Sequence, residues 1–186
     1  MQPIVLRTAR LELSIPVEAD IDVITDACQD ETLRRFTTVP SPYRREHAVE
    51  FVEKVAQWWD AGAEATWAFR RDGVLAGMIG LHRLNAGSGE IGYWTAAPLR
   101  GQGLLGEAAR AVVDWGLSPD GLDLQRIEWR AVVGNTASAR TARSVGFRFE
   151  GTLRGALVNG AGVRSDCWIA GLLPTDDRTP VAWPVL

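Results

Sequence analysis

The stretch Arg-Gly-Gln-Gly-Leu-Leu-Gly, residues 100–106, decides how the rest of this chain is interpreted. It contains the pattern Gly-x-Gly-x-x-Gly, and the apolar spacing after it predicts a helix from about Gly106 to Leu117. Glycines let the backbone approach a bound anion, and the free N–H groups at a helix N-terminus attract phosphate. The stretch therefore predicts a phosphate-binding loop, with Arg100 adding a positive charge at its mouth.

The same glycines allow two other interpretations. In dinucleotide-binding folds a strand runs directly into the first glycine, and an acidic residue ends the next strand about 20 residues later. Here residues 97–100 separate the preceding strand from Gly101, and Asp123 comes before the next predicted strand. This arrangement disfavours a dinucleotide site, while a glycine-rich turn without a ligand stays open as the third interpretation.

Outward from the loop, the hydrophobic spacing predicts a mixed α/β chain, with hairpins first and strand–helix units in the second half. The predicted strands cover residues 10–15, 65–70, 74–84, 90–96, 126–133, 147–153 and 164–173. The predicted helices cover residues 18–27, 44–60, 106–117 and 136–145. We expect a single domain over residues 1–186, with a core at about 7–173 and an extended tail at 174–186.

Composition bounds the class of protein. The 186 residues are 46% hydrophobic and 23% charged, with a net charge of −3, which excludes wholesale disorder and disfavours nucleic-acid binding through bulk charge. No apolar run reaches the length of a membrane span. With two cysteines and two histidines, we expect no metal site. The N-terminal residues do not have the pattern of a signal peptide, so we expect a cytoplasmic protein without a membrane partner.

A second motif follows, Asn-Thr-Ala-Ser-Ala-Arg-Thr-Ala-Arg-Ser-Val-Gly-Phe at residues 135–147. Together with the loop at 100–106, in this order, it resembles the GNAT superfamily of acyl-CoA-dependent N-acetyltransferases. The Glu-Ile-Gly-Tyr-Trp strand at residues 90–94 and the opening Arg-Thr-Ala-Arg-Leu at residues 7–11 resemble the branch that acetylates ribosomal-protein N-termini, the RimJ/RimL type. Two positions depart from the family pattern: Leu105 replaces a Gly or Ala, and Ala142 replaces a Tyr used as a general acid.

The resemblance implies the GNAT fold, whose mixed, mostly antiparallel sheet is flanked by helices and splays between the 90–96 and 126–133 strands. Acetyl-CoA would insert there, its pantetheine along the 90–96 strand and its pyrophosphate on the loop amides. Asn135 and Ser138 would face the pantetheine and the thioester. The residues expected to bind acetyl-CoA are Trp94, Thr95, Ala96, Arg100, Gly101, Gln102, Gly103, Leu104, Leu105, Gly106, Asn135, Ser138 and Arg140.

The chemistry is attack of an amine on a thioester, which arrives activated and needs no protein nucleophile. It needs a base for the amine and an acid for the departing thiolate. Glu90 is the predicted base and Ser138 the predicted thiolate partner, with His82 as an alternative base. Of the adjacent tryptophans 58 and 59, Trp59 is assigned to the acceptor pocket with Phe36, Tyr43 and His82. The tryptophans at 67, 115, 129 and 168 are predicted core residues.

The sequence thus predicts an acetyl-CoA-dependent N-acetyltransferase acting on a primary amine, with a protein N-terminus as the expected acceptor. At pH 7, deprotonating an α-amine of pKa about 7.7–8.0 costs roughly 1 kcal/mol, against roughly 4.6 for lysine. The alternatives are a small-molecule amine acetyltransferase and a non-catalytic acyl-CoA sensor. A dinucleotide oxidoreductase is the least favoured alternative. A homodimer is a further possibility that the sequence leaves open.

Overall fold

One eight-stranded sheet organises the chain, which a computed structural model describes over residues 1–186. The strands are β1 (Leu6–Arg7), β2 (Glu12–Ser14), β3 (Ala65–Arg71), β4 (Val74–Asn85), β5 (Ser88–Thr95), β6 (Arg126–Val132), β7 (Arg148–Val158) and β8 (Arg164–Leu172), in the spatial order β1-β2-β3-β4-β5-β6-β8-β7. Only the β5–β6 pair is parallel. The mixed, mostly antiparallel sheet predicted above is confirmed.

Five helices flank this sheet: α1 (Ile21–Ala27), α2 (Glu31–Phe36), α3 (Arg45–Ala61), α4 (Leu104–Leu117) and α5 (Thr136–Val145). The patterns at 18–27, 44–60, 106–117 and 136–145 predicted four of them within a few residues. The sequence did not predict α2 or the two-residue β1, and β7 continues to Val158, past its predicted end at 153. Six-residue helices and two-residue strands are too short for a periodicity to be seen.

The sheet opens between β5 and β6. Their parallel pairing covers Ser88 to Ile91 on β5 and Arg126 to Trp129 on β6, and then stops. On its other side, β5 stays paired with β4 as far as Thr95. The β5 edge beyond Ile91 therefore faces a gap in the sheet, which is the splay that the resemblance implied.

The main core lies between the sheet and α3, α4 and α5. Trp67 and Trp129 are fully buried and Trp168 nearly so, as predicted, while Trp115 packs against this core half-buried. The tail has no helix or strand but is anchored, because Trp183 is buried and its indole N–H donates to the Phe147 carbonyl at 3.2 Å.

None of the five helices combines the length and the apolar character needed to cross a bilayer. No group of three or more His, Cys, Asp or Glu side chains is arranged to hold a metal ion.

Candidate active site

A cleft of about 970 Å³ follows the gap in the sheet to the N-terminus of α4. Three buried side-chain atoms have no hydrogen-bond partner in the protein: Thr66 Oγ1, Thr95 Oγ1 and Arg130 Nε. All three residues line this cleft. Because buried polar groups are almost always paired, these atoms mark the cleft as a place where a polar ligand or ordered water binds.

The glycine loop forms one end of the cleft. Gly101 and Gly103 have φ of +76° and +74°, the left-handed region that favours glycine. Gly103 is the N-cap of α4, whose first helical bond runs from Glu107 N to Gly103 O at 3.2 Å. The N–H groups of residues 104–106 precede that bond and so have no helical partner. The loop and the helix start thus present the amides that an anion requires.

Most of the loop residues assigned to acetyl-CoA line the cleft, but Gln102 does not. Its Oε1 accepts from Arg71 Nη1 at 2.9 Å, and its carbonyl accepts from Arg10 Nη1 at 3.1 Å. The Gln102 side chain therefore ties the loop to its neighbours, and the prediction that Gln102 binds acetyl-CoA rests on its backbone amide alone. Leu105 is half-buried, lining the cleft and packing on the core, so the departure from Gly or Ala is accommodated by packing.

Ala96 is a second correction. It is buried, it does not line the cleft, and its N–H donates to the Ala76 carbonyl at 2.9 Å. Because this amide already donates to a carbonyl of β4, it cannot pair with a ligand. Trp94 and Thr95, by contrast, both line the cleft, and their binding to acetyl-CoA stays a prediction.

Arg100 does not supply a free positive charge. Its Nη2 lies 2.8 Å from Asp30 Oδ1, and its Nε donates to the Thr95 carbonyl at 3.0 Å. The hydrogen bond from Arg100 holds the pKa of Asp30 below its usual range. Arg100 therefore joins α2 to the end of β5. Arg140 on α5 is exposed, forms no ion pair and lines the cleft, so it is the freer cation.

The start of α5 brings Asn135 and Ser138 to the cleft. Asn135 Oδ1 caps the helix by accepting from Ser138 N at 3.2 Å. Ser138 Oγ accepts from Trp129 Nε1 at 3.0 Å and donates to Tyr93 Oη at 3.2 Å. The Tyr93 hydroxyl in turn donates to the Ser138 carbonyl at 3.2 Å, and burial raises the pKa of Tyr93. Ser138 thus sits in a relay of hydroxyls.

Sequence reasoning missed Tyr93. The family pattern places a tyrosine at position 142, where the buried Ala142 packs in the core. The signal was present in the quoted Glu-Ile-Gly-Tyr-Trp strand, because alternation along β5 places Tyr93 on the face of Ile91 and opposite to Glu90. A phenol from β5 therefore lies beside the helix start where the family tyrosine was absent.

Glu64, His82 and Glu90 form a row on that opposite face. The register pairs His82 with Glu90, and His82 Nδ1 lies 2.8 Å from Glu64 Oε2. Glu90 Oε2 accepts from Arg83 Nη1 at 2.9 Å, and Arg130 Nε is 3.7 Å away. Glu90 Oε1 has no protein partner. The predicted base and its alternative are therefore direct neighbours, and Glu64 is a third member that sequence reasoning did not identify.

Of the residues predicted to contact the acceptor, Phe36, Tyr43 and His82 line the cleft, and so does Trp58. Trp59 does not, and its assignment to the acceptor pocket is wrong. It is fully buried, its indole N–H donates to the Thr66 carbonyl at 3.0 Å, and its ring packs 4.9 Å from that of Trp67. Successive helix residues point about 100° apart, so only one of the adjacent pair reaches the cleft.

Comparison with known proteins gives the following matches. The acetyltransferase (GNAT) domain family matches residues 10–148. Over 92 residues the chain is 39% identical to YdaF of Bacillus subtilis (strain 168), a protein provisionally named a ribosomal N-acetyltransferase; the match covers 48% of this chain and 49% of YdaF. The match thus spans about half the length of that relative.

Solved structures superpose over most of the chain. RimJ of Mycobacterium smegmatis, in complex with a CoA disulfide, gives a TM-score of 0.84 at 19% identity, covering 94% of this chain and 90% of that one. RimL, a ribosomal L7/L12 α-N-protein acetyltransferase in complex with coenzyme A, gives 0.81 at 20% identity, covering 91% and 98%. The microcin C7 self-immunity acetyltransferase MccE, with acetyl-CoA and AMP, gives 0.78 at 19% identity, covering 89% and 93%. At these identities the superpositions establish the fold.

Proposed function

The chain belongs to the GNAT acetyltransferase family, and we propose that it transfers an acetyl group from acetyl-CoA to the α-amine of a protein N-terminus. The observation that carries the proposal is the single cleft that joins the amides of α4, the open edge of β5 and the row of Glu64, His82 and Glu90. A coenzyme arm, an acyl group and an acid–base group can therefore meet in one place.

Acetyl-CoA as the donor is supported by the fit of the loop end. A pyrophosphate would be bound well by the free amides of residues 104–106 and by the guanidinium of Arg140, which forms no ion pair. The unpartnered Thr95 Oγ1 and the open edge of β5 suit the amides of a pantetheine, which would add to the sheet like a strand. RimJ, RimL and MccE, whose structures contain CoA or acetyl-CoA, share this fold.

A protein N-terminus as the acceptor is supported by the names of the relatives and by the acceptor end itself. YdaF and RimL carry names that refer to ribosomal substrates. The aromatic side chains of Phe36 and Trp58 and the carboxylates of Glu50 and Glu64 line the same cleft, a combination that suits an ammonium group followed by an apolar residue. An α-amine also needs less help from a base than a lysine does.

The side chains on the two faces of β5 have different roles in the proposed reaction. Glu64, His82 and Glu90 on one face receive the amine and its proton. Tyr93 and Ser138 on the other face assist the departing thiolate, for which one hydroxyl hydrogen turns from its protein acceptor towards the sulfur. The amine nitrogen forms a bond to the acyl carbon, and the carbon–sulfur bond breaks with its electron pair on sulfur. One proton of the ammonium leaves to solvent and one ends on the thiol.

The proposal is tested by thiol release from acetyl-CoA with a panel of acceptors. We expect peptides with a free N-terminus to react, and the same peptides blocked at the N-terminus but containing lysine to react at least tenfold more slowly. Faster turnover of a polyamine, an amino acid or an aminoglycoside would identify a small-molecule enzyme instead. Stabilisation by acetyl-CoA without turnover of any amine would indicate a sensor.

The hydroxyl relay predicts a specific mutational pattern. Ser138→Ala and Tyr93→Phe each remove one hydroxyl and keep the shape, so we expect kcat to fall by roughly 10- to 100-fold. The thiolate has a pKa near 8.5, so a general acid helps without being indispensable. The double variant should fall no further than the worse single variant, because both hydroxyls act in one relay. Ser144→Ala, at an exposed hydroxyl outside the cleft that bonds only to its own helix, is a control for loss of a hydroxyl from α5.

Weakened acetyl-CoA binding in Ser138→Ala, in proportion to the lost rate, would contradict this assignment. Ser138 would then be a binding contact for the coenzyme. Multiplying losses in the double variant would separate the two hydroxyls and refute the relay.

A further inference from the structure

His82 lies between two carboxylates on one face of the sheet. It pairs with Glu90 across β4 and β5, and Glu64 directly precedes Ala65, the residue that pairs with Leu81. The side chains of His82 and Glu64 are 31% and 24% exposed, and that of Glu90 is 23% exposed. This row is therefore accessible from the cleft but largely shielded by protein.

Two glycines set the position of the His82 ring. A Cβ placed on Gly92 would lie 3.0 Å from both Cδ2 and Nε2 of His82, and one placed on Gly80 would lie 3.0 Å from Cε1. The imidazole therefore lies flat over these glycines, with Nδ1 directed to Glu64. Gly92 is the first β5 residue beyond the last β5–β6 pair, so Nε2 lies at the point where the sheet opens.

We propose that His82 Nε2 takes the proton from the acceptor amine, with Glu64 as the residue that positions and polarises the ring. The inference rests on the proposed function. A neutral imidazole donates through one nitrogen and accepts through the other. The carboxylate of Glu64 accepts the Nδ1–H, which leaves the Nε2 lone pair facing the cleft, where no protein group bonds to it.

The proton transfer balances as follows. An ammonium N–H bond breaks, its proton moves to Nε2, and the freed lone pair attacks the thioester. The imidazolium that forms has Glu64 in contact and Glu90 as its cross-strand neighbour. Glu90, the base predicted from sequence, has one oxygen held by Arg83, so its free Oε1 is assigned to binding the ammonium.

The tautomer of His82 provides a test that needs no activity. The chain has two histidines, and His47 Nδ1 accepts from Arg44 N at 3.0 Å. In two-bond ¹H–¹⁵N NMR spectra, we expect neutral His82 to be protonated at Nδ1 and neutral His47 at Nε2. His47→Gln assigns the two sets of signals. Protonation of His82 at Nε2 would overturn the proposal, because no lone pair would face the cleft.

Kinetics provide the second test. We expect His82→Gln to lower kcat by about 100-fold with the stabilisation by acetyl-CoA unchanged. Glu64→Ala should lower kcat by about tenfold, and Glu64→Gln should recover part of that loss, because its amide oxygen can still accept the Nδ1–H. Glu90→Gln should mainly raise the KM for the amine. Glu53→Gln, an exposed carboxylate of α3 outside the cleft, is the matched control.

The pH dependence separates proton transfer from packing. The deficit of His82→Gln should shrink as pH rises towards the pKa of the amine, about 7.7–8.0, because free amine then arrives without help. The titratable and charged groups around His82 are Glu64, Glu90, Arg83 and Arg130, with His47, Glu50 and Lys54 on α3 across the cleft. A constant deficit, or a pH-dependent one in Glu90→Gln instead, would overturn the proposal.

Gly92→Ala is a second test of the role of His82, which can be used if His82→Gln fails to fold. Its Cβ would press on Nε2 and Cδ2, so the ring must shift by a few tenths of an ångström, and we expect kcat to fall several-fold. An unchanged kcat with unchanged pH dependence would count against His82. Wild-type protein that turns over no amine would refute the proposed function, whereas active wild type with insensitive His82 and Gly92 variants would refute only this inference.

Discussion

Gly103→Glu is expected to abolish the stabilisation of this protein by acetyl-CoA. At a concentration 100 times its Kd, a ligand adds about 2.7 kcal/mol to the free energy of unfolding, which raises the Tm of a domain this size by about 5–11 °C. Glutamate at the N-cap of α4 would place a carboxylate where the free amides otherwise attract pyrophosphate. The nearest atom to its Cβ, Arg10 Nη2, is 3.7 Å away, so the variant fits sterically.

The backbone cost of this variant requires its own control. Gly103 has φ of +74°, and an L-residue there costs about 1–2 kcal/mol. Gly62, at the C-terminal end of α3, has φ of +67° and open space around its Cβ position. Gly62→Glu should lower the Tm by a similar amount and keep the full shift with acetyl-CoA. NAD at the same concentration should protect none of the three proteins. Retained protection of Gly103→Glu would refute the phosphate-binding loop.

The loop and the order of the elements were predictable because their signals are local. These signals are glycines with positive φ, a helix that begins at the loop, and alternating or helical apolar spacing. Each of them depends only on residues that are neighbours in sequence. The Asn135 cap and the Gly146 end of α5 are of the same kind, with a side chain bonding three residues on and a left-handed glycine. Local chemistry also explains why the helices other than α2 were found within a few residues.

The contacts that tune the site were not predictable, because they join residues far apart in sequence. Asp30 removes the free charge of Arg100 across 70 residues, and Tyr93 reaches Ser138 across 45. Glu64 meets His82 only because the β3–β4 register places them level. A carboxylate before a strand and a histidine within the next one are ordinary residues in isolation. Their pairing follows from register, which periodicity alone does not fix.

Register also explains why the charges near the cleft are balanced. From Glu90, ion pairs continue through Arg130 and Glu128 of β6 and on through Arg126 to Glu150 of β7. The ion pair between Arg126 of β6 and Glu150 of β7 crosses Gly171 of β8, where a Cβ would collide with both side chains. Because residue 171 is a glycine, the side chains of Arg126 and Glu150 can meet across β8. The series of ion pairs therefore continues as far as β7, and Glu90 lies at its cleft end.

The adjacent tryptophans of α3 give the second large expected effect. Trp59→Ala should lower the free energy of unfolding by about 3–5 kcal/mol, the usual cost of deleting a fully buried large side chain, and the Tm by about 6–20 °C. Trp59 packs against Trp67 and Trp115 at ring distances of 4.9 and 5.9 Å. Removal of the indole would leave a cavity beside these rings, and the Thr66 carbonyl would lose its donor.

Trp58→Ala should have the opposite profile, because the Trp58 ring is half-buried, packs edge-on to Phe51 at 6.3 Å and lines the cleft. We expect the KM for an acceptor peptide to rise about tenfold, which corresponds to about 1.4 kcal/mol of lost binding, with a much smaller fall in Tm than in Trp59→Ala. Thermal melting and steady-state kinetics on the two variants decide the matter. A raised KM in a Trp59→Ala protein that melts like wild type would restore Trp59 to the acceptor pocket, since a side chain needed for packing cannot be lost without cost to stability.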